Sequence, residues 1–249
     1  MFQLLSAAET AQAEAPKAVR VAPHVPILYF GRLSEYQKSD LRIVTVGLNP
    51  SVNEFPATSP LFRFPALTTY NAEQSNVARY GALQAAYEAY FDNDPYMRWF
   101  GNLERVLEGF SASFCKRMGR KALHTDILSP IATSPTWSRL KKSDQSQLLT
   151  FGVPLWHKLI DHLQPHLLLV SVARDHFNRI SFPSYGTKLC RVVLGGKSRY
   201  PIVAQTIQLV SGQLTDVIYM TPAQLPFGFL SDIEKVQIAQ TLRGQLTNW

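Results

Sequence analysis

The chain has only two cysteines, Cys115 and Cys190, in 249 residues. Two are too few for a disulfide framework, and too few for a four-cysteine zinc or iron–sulfur site. A reducing, cytoplasmic setting is the expectation. No apolar run reaches the roughly 18 to 20 residues that a bilayer span requires, so no membrane partner is expected. The N-terminus, "MFQLLSAAETAQAEAPKAVR", lacks a basic stretch ahead of a long apolar core, so a signal peptide is not expected. Acidic residues are scarce. Eighteen Asp and Glu stand against 25 Lys and Arg, leaving a net charge of +7. That balance suits a polyanionic partner.

Several catalytic markers are also missing. "GGKS" (195–198) imitates the tail of a phosphate-binding loop, but Arg191 stands where that loop needs glycine. His157, His162 and His166 lie close together, but the single pair four apart, His162 and His166, straddles the end of the helix predicted at 145–163, so no helical metal site is expected. No G-x-S-x-G elbow marks a hydrolase triad. No metal or other cofactor is expected.

What is present is enough for a core. Hydrophobic residues make up 46% of the chain and charged residues 17%. The length fits one large α/β domain, 21–249, behind a frayed or helical arm at 1–20. "LRIVTVG" (41–47) is apolar on both faces, as a central parallel strand should be. A long aromatic-rich loop follows at 51–75, and loops of that length inside a domain are usually functional. Helices are predicted at 76–91 and at 95–110, the second with Asp94 as N-cap and Pro95 at its first position. Further strands are predicted at 122–130 and 166–172, then as a pair, "KLCRVVL" and "IVAQTIQLV", turning at Gly195–Gly196. A last strand is predicted at 216–220. Helices are predicted at 145–163, 173–180 and 231–246, the last with Ser231 and Glu234 as a capping box. Strands alternating with helices point to a three-layer α/β/α fold around a mostly parallel sheet. Sites in such sheets lie at the carboxyl ends of strands. Three polar stretches occupy that position here: "GLNPS", "HTDILSP" and "TPAQLPFG". Basic clusters stand at "CKRMGRK" (115–121), "SRLKK" (138–142) and "GGKSR" (195–199).

In "GLNPS", Gly47 allows a close backbone approach, Pro50 fixes the turn, and Asn49 projects an amide that donates and accepts. An Asx-turn or a helix cap is the structural alternative.

"VTVGLNPS" after a hydrophobic strand resembles the first motif of the uracil-DNA glycosylase superfamily, in its mismatch-specific, thymine-DNA-glycosylase-like branch. The resemblance covers the architecture from about residue 25 to the end, and only this first motif is specific. It implies a glycosylase-like domain in which Asn49 positions the hydrolytic water. It implies base stacking by Phe62, within "LFRF", and a base pocket that includes Leu48, Ser51 and Arg63. It places a substrate-contacting and DNA-wedging loop at "MTPAQLPFGFLSDIEK". Thr221 and Gln224 would contact substrate there, and Leu225, Pro226 and Phe227 are the wedge candidates. Three departures matter. Ser51 stands where uracil-specific members place a tyrosine that blocks C5 substituents. Thr221-Pro222-Ala223 lacks the histidine that stabilises the departing base. The middle strand carries "HTD" in place of a pyrimidine-reading asparagine.

The implied reaction hydrolyses an N-glycosidic bond through an oxocarbenium-like sugar after the base is flipped. Glu54 is the expected carboxylate, accepting the proton of water or supporting the sugar charge. His124 and Asp126, two apart on a strand and so on one face, are expected to serve the leaving base. No lysine stands out as a Schiff-base nucleophile, so a monofunctional enzyme that leaves an abasic site is expected. The expected partner is double-stranded DNA, and the protein a monomer. An open C5 side points to a 5-substituted pyrimidine. Some superfamily members guard bacteria against phages with bulky modified bases, so glucosylated hydroxymethylcytosine is one such substrate. Mismatch repair of uracil or thymine, and non-catalytic binding of modified DNA, are the alternatives.

Overall fold

The computed structural model describes the chain except residues 22–23, 57, 59–60, 71–73, 116–118, 191–201, 223 and 245–249. The Gly195–Gly196 turn, the "GGKS" stretch, Arg191 and most of "CKRMGRK" therefore lie outside the described residues. The protein is α/β, with a seven-stranded, mostly parallel sheet. The chain divides into two compact units, and the division is not sequential. Unit 1 is Met1–Arg32, Leu48–Pro95 and Thr125–His162; unit 2 is Leu33–Gly47, Tyr96–His124 and Leu163–Trp249.

Unit 2 holds the sheet. Its strands are β1 (Ile43–Gly47), β2 (Ala112–Ser113), β3 (Arg120–Asp126), β4 (Leu167–Val170), β5 (Ser184–Cys190), β6 (Ile202–Gln208) and β7 (Leu214–Tyr219). They are ordered β2-β3-β1-β4-β7-β6-β5. The last two residues of β3 pass into unit 1. β1 and β4 run parallel in the register Ile43↔Leu167, and β4 and β7 in the register Leu167↔Asp216. Every residue of β1 and β4 is buried, as the unbroken apolar runs require. β6 and β5 close the sheet as an antiparallel pair. Strand order reverses at β1, which has β3 on one side and β4 on the other. In doubly wound sheets ligands bind outside the carboxyl ends at such a reversal. The two-residue β2 escapes sequence reading because it is too short to show a period.

The helices of unit 2 are α2 (Leu33–Lys38), α4 (Met97–Gly109), α6 (Arg174–Phe177) and α7 (Asp232–Arg243). α4 and α7 nearly touch. A Cβ on Gly109 would sit 2.5 Å from the Ala239 Cβ, so only glycine allows that approach. α7 carries the expected capping box. The Ser231 hydroxyl accepts from the Glu234 N–H, and Glu234 accepts from the Ser231 N–H. Asp94 is not the cap of α4. It has a positive φ of 52°, and its carbonyl accepts from Arg63 Nε at 2.7 Å. That bond fixes Asp94 as a turn residue, and the helix starts later.

Unit 1 contains α1 (Phe2–Glu14), α3 (Asn76–Ala89) and nearly all of α5 (Lys142–Leu163). Of the two alternatives for the N-terminal arm, frayed or helical, α1 is helical, and it is packed: Leu5 and Ala8 are fully buried. Glu9 on α1 pairs with Arg79 on α3 at 2.6 Å, and the Tyr70 and Tyr80 hydroxyls donate to it. An aromatic core of Phe30, Phe55, Phe64, Tyr87 and Tyr90 fills the unit, with Phe30 and Tyr90 ring centroids 4.3 Å apart. Among the described residues, no helix is long and apolar enough to cross a membrane.

Candidate active site

The candidate residues divide between the units. Unit 1 holds Leu48, Asn49, Pro50, Ser51, Glu54, Phe62, Arg63 and Asp126; unit 2 holds Gly47, His124, Thr221, Gln224, Leu225, Pro226 and Phe227.

The chain enters unit 1 directly after Gly47, the buried last residue of β1. The turn that follows is laced to residues 128–133, the continuation of the third strand segment. Leu128 N–H donates to the Leu48 carbonyl at 2.9 Å, Thr133 N–H to the Pro50 carbonyl at 3.1 Å, and Val52 N–H to the Thr133 carbonyl at 3.0 Å. Gly152 in α5 makes this segment possible, since a Cβ there would lie 2.0 Å from the Leu128 carbonyl oxygen.

Asn49 is held by the same segment. Its Nδ2 faces only oxygens: the Pro50 carbonyl at 2.7 Å, the Thr133 hydroxyl at 2.9 Å and the Ile131 carbonyl at 3.3 Å. Two of the three are carbonyls, which can only accept, so the amide cannot flip without setting oxygen against oxygen. Its Oδ1 is left pointing the other way, and among the described residues nothing donates to it. A rigid, half-buried acceptor of this kind can hold a water by one of its O–H bonds. Thr133 and Ile131 were missed by sequence reasoning. They lie 84 and 82 positions from Asn49, and no local pattern links them.

Glu54 lies on the same loop, with its N–H bonded to the Ser51 carbonyl at 2.9 Å. Its side chain is buried, and the Tyr90 hydroxyl bonds to its Oε1. Burial pushes its carboxyl up to about 8. The nearby Asp126 charge pushes the same way, while the Tyr90 hydrogen bond and the Arg63 charge pull it down. At neutral pH Glu54 is therefore chiefly a neutral acid. A carboxyl raised in this way differs from the expected carboxylate, which was to accept the proton of water or support the sugar charge, because the sequence does not disclose burial. Asp126 is half-buried at the end of β3, beside a slot of about 10 Å³ with room for one water at most. Tyr90, like Thr133 and Ile131, was missed by sequence reading.

Arg63 bonds to the Glu54 carbonyl and, as noted, to the Asp94 carbonyl. Its guanidinium carbon lies 4.4 Å from the centroid of the Phe62 ring. Phe62 is 37% exposed, so it is not core packing. A flat ring backed by a cation and open to solvent is suited to stacking on a base.

In unit 2 the structure revises two expectations. His124 is 2% exposed, with Nδ1 2.7 Å from the Thr45 hydroxyl and its ring edge-on to Phe100 at 4.9 Å. It is a core histidine, which revises its expected place beside the leaving base. The two-residue strand period places side chains on a face but does not reveal what covers that face. Among the wedge candidates, Pro226 and Phe227 are buried. Phe227 has a positive φ of 51°, and its N–H donates to the Ser171 hydroxyl at 3.0 Å. Neither is presented to a duplex. Leu225 is half-buried, and Phe229, which was not a candidate, is 38% exposed. Thr221 and Gln224 are exposed, and the Thr221 hydroxyl lies 2.9 Å from that of Tyr219.

Among the described residues, no group of three or more His, Cys, Asp or Glu could hold a metal. Comparison of the chain with protein-family models, curated proteins and solved structures found no significant match.

Proposed function

We propose that this protein is a monofunctional DNA glycosylase that hydrolyses the N-glycosidic bond of a flipped pyrimidine and leaves an abasic site. The observation that carries the reading is the Asn49 carboxamide, anchored through its Nδ2 with its Oδ1 left open. Water held there attacks C1′ of the sugar as the bond to the base breaks. The oxygen joins C1′, and one proton of the water leaves to Asp126 or to solvent. Glu54, protonated at neutral pH, donates a proton to the departing base. The Asp126 carboxylate supports the oxocarbenium-like charge. Phe62, backed by Arg63, stacks on the flipped base and offsets the few kcal/mol lost on unstacking. Leu225, with Phe229, is the part of the β7 exit loop suited to entering a duplex.

Ser51, after Pro50, leaves room beside C5, so the preferred substrate is a 5-substituted pyrimidine, with glucosylated hydroxymethylcytosine as the bulky extreme. The three-layer glycosylase-like arrangement of the fold belongs to the same proposal.

One observation favours non-catalytic recognition of modified DNA: the Glu54 carboxyl is enclosed and bonded to Tyr90. The deciding experiment incubates the protein with duplexes carrying uracil, a thymine mismatch, 5-hydroxymethylcytosine or its glucosylated form. Free base and alkali-labile breaks are the expected products. Tight binding to one of these duplexes with no base released from any of them would replace the enzyme by the binder.

A further inference from the structure

In unit 2, β4 and β7 end side by side, and the chain beyond each stays at that edge of the sheet. Met220 N–H donates to the Val170 carbonyl at 3.1 Å, and Phe227 N–H to the Ser171 hydroxyl at 3.0 Å. These bonds tie the β7 exit loop to the residues that follow β4. This is the carboxyl edge, where ligands of parallel sheets bind.

Arg174 stands at this edge, and the hydrolytic residues leave it without a role. Two rings hold its side chain. Its guanidinium carbon lies over Tyr219, 5.1 Å from the ring centroid, and 5.9 Å from that of Phe177. The two rings are stacked on each other with centroids 3.9 Å apart, and both are buried. The platform is therefore fixed. Arg174 itself is exposed, and among the described residues no carboxylate, carbonyl or hydroxyl accepts from its guanidinium. Asp175, the next residue, is exposed and does not pair with it. Stacking through the flat face sets the plane of the guanidinium and leaves the N–H groups along its edge available. A charge that only solvated the surface would need no such platform. The exposed Thr221 hydroxyl lies 2.9 Å from the hydroxyl of the same Tyr219. One ring thus carries an oriented fork of donors on its face and a second donor at its tip. That pairing of arginine and hydroxyl matches the oxygens of a phosphodiester.

We infer, on the reading of this protein as a DNA glycosylase, that Arg174 and Thr221 grip a backbone phosphate of the DNA strand. The contact sets the register of the strand beside Leu225 and the exposed Phe229 of the exit loop.

The test is the affinity for a labelled, undamaged duplex, read by fluorescence anisotropy over a series of salt concentrations. Arg174→Met keeps a long side chain over Tyr219 and loses the charge. It should weaken binding by about tenfold and reduce the slope of log K against log salt by about one. Arg174→Lys should keep the slope while losing affinity, because the charge stays and the fork goes. Thr221→Val should weaken binding by about tenfold with the slope unchanged. Equal affinity and slope in Arg174→Met and the native protein, with base released by both, overturn the phosphate contact and leave the hydrolytic reading standing. A slope lost equally in Arg174→Met and Arg174→Lys makes the effect one of packing and also overturns it. A native protein that neither binds duplex nor releases base overturns both readings.

Discussion

Asn49 donates from its side-chain amide to the hydroxyl of Thr133 at 2.9 Å, and that bond helps decide which way the carboxamide faces. Thr133 is fully buried, and its backbone N–H and carbonyl bond to Pro50 and Val52. Removing the hydroxyl should therefore loosen the amide and leave the loop in place. Thr133→Val is expected to slow base release by about tenfold, the rate equivalent of one neutral hydrogen bond. Asn49→Ala should abolish release and cost about 1–3 kcal/mol of stability by stranding the Ile131 carbonyl. Single-turnover assays and thermal melts of both variants check this. Unchanged release by Asn49→Ala would show that the water is held elsewhere.

Glu54 makes pH a diagnostic. Its folded value of about 8 stands above its ordinary 4.5. The folded protein therefore binds the extra proton between those values. The stability contributed by the neutral acid is complete below about 4.5 and is lost as pH rises through about 8. Glu54→Gln should flatten the dependence of melting temperature on pH across that window. The same substitution removes the donor, so the fall in base release as pH passes about 8 should vanish along with most of the activity. Tyr90→Phe should move that fall to higher pH, because the Tyr90 hydrogen bond lowers the Glu54 value. An alkaline limb that stays in place in all three proteins assigns the titration to another group.

Phe62 separates recognition from folding. Being 37% exposed, it should tolerate Phe62→Ala with little change in melting temperature. Lost stacking on the flipped base should cost about 1–3 kcal/mol in binding or catalysis. Phe62→Trp should retain most of the activity. Equal activity in Phe62→Ala and the native protein would remove Phe62 from the base pocket.

Ser51 tests substrate choice. Its side chain is half-buried, and its hydroxyl accepts from Asn53 N–H at 3.3 Å, a weak constraint. Ser51→Tyr should block 5-substituted pyrimidines while sparing uracil. The readout is the ratio of release rates from uracil and from 5-hydroxymethylcytosine duplexes. A ratio that does not rise in the variant would place C5 away from this residue.

The parts of the fold that were legible in the sequence share one physical feature: their signal is local. β1 and β4 show as unbroken apolar runs. α7 shows through a capping box whose two members are three residues apart. The turn after Gly47 was legible as well, because glycine and proline constrain the backbone wherever they stand. The parts that were not legible depend on neighbours remote in the chain. The Arg63 bond turned Asp94 from a helix cap into a turn residue. Phe100 and Thr45 made His124 a core residue. The Ser171 bond and the burial of Phe227 withdrew its ring from solvent.

The sequence by itself determined that an asparagine stands in a rigid turn after a buried strand, with a serine after the proline. Backbone chemistry is enough for that. Only the tertiary structure decided that the amide faces inward and its oxygen is open, and that the Glu54 carboxyl is buried against Tyr90 and raised above its ordinary value. The first arises when residues 82 and 84 positions from Asn49 are folded against it, and the second when Tyr90, 36 positions away, closes on Glu54.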